Sequence, residues 1–90
     1  MIVLLYKFVV GDKVRTKGCD LLADLNVKAG MEGVVKCVAR YGSTLIYGVT
    51  FKEDVIGHNL SNLRLLYGSP LEEGNKHGIW FVGESLELVK

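Results

Sequence analysis

The sequence is short of charge bias, cysteine, proline and any long apolar or helical run. Its 11 Lys and Arg against 10 Asp and Glu leave a formal net charge of only +1. That excludes the strong positive field that drives non-specific binding to nucleic acid. Cysteine is limited to Cys19 and Cys37, with no C-x-x-C spacing, and the chain opens with neither a charged leader nor a small-residue cleavage site. Reduced thiols in a cytoplasmic setting are therefore expected. The apolar opening MIVLLYKFVV is interrupted by Lys7 and stopped by Gly11, far short of the ~20 residues that span a bilayer. It reads as a strand, and no membrane partner is expected. Helical periodicity nowhere persists beyond about two turns, and no internal repeat or low-complexity segment is present.

What is there is apolar content and glycine. Hydrophobic residues make up 49% and charged residues 23% of 90 residues, enough for one packed core and too little chain for a second domain. Pro70 stands alone, while 11 glycines punctuate the sequence, the pattern of short strands and tight turns. The reading along the chain is a strand over 2–10, a turn at Gly11-Asp12, extended chain over 13–16, and one helical turn or a hydrophobic loop over 19–25 that buries Leu22 and Leu25. A valine-rich strand within 27–40 follows two glycines that suit a bulge or tight bend. Residues 34–51 read as a hairpin whose second strand, 45–51, sets Leu45, Tyr47, Val49 and Phe51 on one face. After a loop over 53–62 come a short strand over 63–67, a polar loop, the strand GIWFV and the close ESLELVK. The expected fold is all-β: a small, partly open antiparallel barrel of five or six short strands with at most one short helical turn, forming a single domain over residues 1–90.

The stretches VVGDKVRTK, AGMEGVVKCV and YGVTF follow one another in an order and spacing that resembles SH3-like barrels of the KOW type, over about residues 8–52. The series YGVTF, IGHNL, KHGIWFV and ESLELV is in turn similar to a group of small, mostly uncharacterised bacteriophage barrel proteins with a GH, HGxWxV, LE pattern. This chain departs from them in its longer apolar N-terminus and in the added LRLLYGSPLEEGN. The resemblances imply an SH3-like barrel, a phage origin with a place in the host cytoplasm, and, on the KOW side, binding of RNA or DNA.

For catalysis, no G-x-S-x-G, G-x-x-x-x-G-K-[ST], H-E-x-x-H or G-x-G-x-x-G pattern occurs, and the acid pairs Glu53-Asp54 and Glu72-Glu73 sit in polar loops. No enzymatic residue and no cofactor is expected. His58, His77, Cys19 and Cys37 are of zinc-binding type but lack knuckle spacing, so no metal is expected. Gly57 and Gly78 beside the histidines fit imidazoles that cap turns.

In GIWFV, Ile79 and Phe81 point one way, Trp80 and Val82 the other. Trp80 is accordingly a core plug, the favoured reading, or an exposed platform. A protein partner is expected to meet Trp80, His77, His58 and Tyr67, with the 19–28 and 53–62 loops nearby. Self-association through the apolar residues 2–6 is a further expectation.

Charge is uneven along the chain. Residues 1–52 hold eight basic against four acidic side chains and residues 53–90 three against six. A nucleic-acid alternative therefore uses Arg15, Lys17, Lys36, Arg40 and Tyr41.

Overall fold

The computed structural model describes residues 7–17, 29–53, 55–61 and 63–89. Six strands follow in order: β1 (Lys13–Thr16), β2 (Glu32–Tyr41), β3 (Thr44–Phe51), β4 (Leu65–Gly68), β5 (Gly78–Val82) and β6 (Leu86–Leu88), with a single 3-10 turn, Gly83–Ser85, between the last two. All pairings are antiparallel, in the order β5-β3-β2-β1-β6. β4 pairs with β2 over Cys37–Ala39, beyond the stretch that β1 occupies. The sheet does not close on itself, consistent with the expected small, partly open antiparallel barrel. The expected strand over 63–67 starts two residues later.

β2 and β3 are joined by Gly42 and Ser43, with Tyr41 facing Thr44. Gly42 has φ +64°, the left-handed conformation that two-residue hairpin loops require. β3 alternates as expected. Tyr47, Val49 and Phe51 are buried in the main core and Leu45 packs against it. Val14, Val35, Val38, Ile79, Phe81, Leu86 and Phe8 complete that core, so Ile79 and Phe81 form the inward side of β5.

The described end of the expected strand over 2–10 takes another form: residues 7–11 are bends and a turn. The reason is local. Asp12 Oδ2 accepts from the Val9 N–H at 3.0 Å while the Asp12 N–H donates to the Val9 carbonyl at 3.1 Å, and this reciprocal pair folds the chain back. Residues 2–6 and the 19–25 segment, with Leu22 and Leu25, lie outside the described residues.

Phe8 is pinned within this turn region. Its ring meets Tyr47 edge-on at 5.2 Å, and the Lys7 N–H donates to the Tyr47 hydroxyl at 2.8 Å. Tyr47→Phe keeps the ring contact and strips the part-buried N–H of its acceptor. It is expected to cost about 1 kcal/mol, read as a lowered denaturant midpoint at constant m-value.

Candidate functional site

Two features separate the outer face of the sheet from the main core. The first is a bulge in β2: Val35 faces Val49 but Cys37 faces Gly48, leaving Lys36 as an extra residue. Val35 faces inward before it and Val38 after it, so Cys37 and Ala39 turn outward yet are fully buried. The second is what covers them. Cys37, Gly48 and Trp80 lie in one row across β2, β3 and β5, and Leu60 from the β3–β4 connection, also fully buried, rests against the row.

Gly48 is the floor of this second, smaller core. A methyl group there would stand 2.6 Å from Cys37 Sγ, 2.9 Å from Leu60 Cδ1 and 3.1 Å from Trp80 Cζ3. Trp80 is therefore neither a plug of the main core nor a fully exposed platform. It is half-buried on the opposite side of β5 from Ile79 and Phe81. Burial pushes the Cys37 thiol up to about 11, against a smaller lowering by its hydrogen bond with the Gly48 backbone, so it stays protonated at neutral pH.

The two histidines fasten the loops that carry this cover. His58 pairs with Gly78 on β5 through two backbone hydrogen bonds of 2.8 Å. Its Nδ1 accepts from the Leu60 N–H at 3.0 Å. In that tautomer the neutral ring carries its proton on Nε2. Leu60 has φ +64°, and it is the only residue other than glycine with positive φ among the described residues. For a leucine such a conformation costs on the order of 1–2 kcal/mol, tolerable where the surroundings over-determine it. His77 Nδ1 lies 3.1 Å from the Glu53 carbonyl and its N–H donates to Asn75 Oδ1 at 2.9 Å. The His58 imidazole thus caps a turn as expected, whereas the His77 ring meets the carbonyl of the distant Glu53 and the turn before it is capped by the Asn75 side chain. Among the described residues no three His, Cys, Asp or Glu side chains gather as metal ligands, and Cys19 lies outside them.

The basic residues of the nucleic-acid alternative are spread out. Arg15 stands 3.6 Å from Glu32 and 3.7 Å from Glu87 on the flanking strands, and pairs this exposed are worth little. Lys17 follows the end of β1 level with Gly30, while Arg40 and Tyr41 close the far end of β2. At ~3.3 Å per strand residue the two ends are on the order of 30 Å apart along the strand. Lys36 protrudes from the bulge between them. Tyr41, 71% exposed, is at the hairpin tip.

Tyr67 is placed differently from the other expected partner contacts. With Phe8, Val9, Val10 and Val38 it lines an apolar hollow of about 420 Å³. Val9 and Tyr67 are 61% and 56% exposed, and Val10 and Leu66 are exposed as well. Phe8 and Val38 form a buried floor continuous with the main core. Sequence reasoning missed Val9 and Val10, having placed them inside a strand. The available signal was Asp12 three residues after Val9, the spacing of a side-chain-capped turn.

Searches against protein-family models, curated proteins and solved structures returned no match, so the likeness to KOW-type and phage barrels rests on the sequence motifs alone.

Proposed function

We propose that this chain is a non-enzymatic binding module that holds a protein partner by surface occupancy, with the groove between the Val9 turn and β4 as its principal contact. The observation that carries this reading is the groove itself. Exposed Val9, Val10 and Tyr67 surround a floor supplied by the core residues Phe8 and Val38, and rigid apolar concavities rimmed by an aromatic are where interface energy concentrates. The sequence likeness to phage barrels makes a host or viral protein the first class of partner to test.

A second reading has one observation in its favour. Arg40 and Tyr41 stand together at the exposed hairpin tip, an arrangement suited to stacking an unpaired base.

Affinity capture from host lysate with the wild-type chain, Val9→Asp and Tyr67→Ser tests both. The Val9 N–H bond to Asp12 involves backbone on the Val9 side, so Val9→Asp leaves the turn intact. The expected result is a protein retained by the wild type and reduced at least about tenfold by either variant, a loss of roughly 1.4 kcal/mol or more. Equal retention by all three chains overturns the groove reading. Retention only of nucleic acid, falling steeply with salt and lost in Tyr41→Ala, replaces it with the second.

A further inference from the structure

The cover over Cys37 is held by an imidazole, the side-chain type whose ordinary charge change falls between pH 5 and 8. Leu60 is fully buried in a left-handed backbone conformation, and the hydrogen bond to its N–H ends on His58 Nδ1. That bond requires an unprotonated nitrogen. A proton added to Nδ1 sets one N–H against another, removing the acceptor while the conformational cost at Leu60 remains. Two neighbouring turns use the same i to i+2 geometry with a side chain that does not titrate: Asn59 Oδ1 accepts from the Ser61 N–H and Asn75 Oδ1 from the His77 N–H. Among these three turns, only the one that seats Leu60 has an imidazole.

We propose that His58 and Leu60 form a proton-operated latch: protonation of the imidazole releases Leu60 from the outer face of β3 and β5 and opens an apolar pocket walled by Cys37, Gly48 and Trp80. The latch lies on the opposite side of the sheet from the Val38 groove and does not rest on that reading.

The surroundings of His58 agree with this. It lines a hollow with Gly57, Asn59, Gly74, Asn75 and Lys76. Lys76, from the β4–β5 connection, is the charged group facing it there, and it opposes a second cation. On the same connection His77 is turned toward the Glu53 carbonyl, and β5 offers only the Gly78 backbone. Burial holds the His58 imidazole below the ordinary 6.5. The sign follows by linkage. The open form, with the ring in water, binds the proton more readily than the closed form. The closed form's advantage is therefore complete above pH 6.5 and is lost as pH falls from there toward the lowered closed-state value.

Two readouts test the latch in the full chain. The sole tryptophan, Trp80, reports by fluorescence. Cys37 reports by its rate of reaction with 4,4′-dithiodipyridine, a disulfide that reacts with thiols in acid, with peptide mapping to separate it from Cys19. Rates are normalised to the denatured chain at each pH. On going from about pH 7.5 to pH 5, wild-type Cys37 is expected to become at least about threefold more accessible, with a Trp80 emission change over the same range. His58→Asn keeps an acceptor for the Leu60 N–H and is expected to stay flat, while His77→Gln follows the wild type. A flat wild-type profile overturns the latch, as does a His58→Asn profile that still rises or a rise abolished only by His77→Gln. Exchange of the Leu60 amide in the wild type serves as a check free of mutation. Protection at pH 7.5 that drops at pH 5, after correction for intrinsic rates, supports the latch, and unchanged protection overturns it.

Discussion

Gly78→Ala is expected to lower the unfolding free energy by roughly 2–4 kcal/mol, above the usual cost of one added methyl, because part of what it strikes is backbone. The new Cβ would stand 2.5 Å from Leu60 Cγ and 2.7 Å from the His58 carbonyl oxygen. The leucine can turn aside. The carbonyl cannot, since it accepts the Gly78 N–H in the bridge that ties the loop to β5. Gly57 is under the same constraint from the other side, as a Cβ there would collide with the Gly78 carbonyl oxygen. Adding Leu60→Ala to Gly78→Ala should recover little of the loss, and a thermal melt of the pair against each single change measures this. Near-complete recovery would mean that the side chain, not the bridge, resists the methyl group.

Phe81→Ala acts on the other side of the same strand and is expected to cost about 3–5 kcal/mol. Phe81 is buried in the main core, edge-on to Phe51 at 5.9 Å, and its backbone is paired with Tyr47. Removing the ring leaves a void that Ile79 and Tyr47, fixed by their own strand registers, cannot fill. A domain of 90 residues has on the order of 5–13 kcal/mol of stability in total. The loss should appear as a melting point lowered by at least about 12 °C, and a drop of only a few degrees would show that the core collapses around the gap.

These two expectations mark where the sequence was legible and where it was not. The inward set Leu45, Tyr47, Val49 and Phe51 could be read directly, because period-two alternation in a β-branched and aromatic run has one structural meaning. The opposed faces of GIWFV followed from the same rule. What alternation could not supply was the destination of the outward set. Trp80 could be placed only once Leu60 was known to cover that face, and Leu60 stands in GHNLSN, a polar loop with no period. Its burial depends on Gly48 and Gly78, distant glycines whose role is the space they leave. The bulge was hidden for a related reason. VVKCVAR reads as one unbroken valine-rich strand, and the extra residue exists only relative to the β3 partner. Of the four expected partner contacts, Tyr67 lines the exposed groove, His58 caps the turn that seats Leu60, His77 is turned toward the Glu53 carbonyl, and Trp80 belongs to the covered face.

The bulge at Lys36 acts on the pleat as a frameshift acts on a reading frame. Upstream of it β2 spells one core; downstream the same strand spells two, so Cys37, Val38 and Ala39 are three consecutive buried positions between exposed Lys36 and Arg40. A plain strand that buries a single face tolerates change at every second residue. Here tolerance arrives as a block: three adjacent positions closed to polar substitution, bounded by two open ones. Deleting Lys36 would leave Val35 opposite Val49 and Val38 opposite Tyr47, both still inward in an unbroken alternation, so the whole shift of frame resides in one exposed residue that no partner on β3 answers.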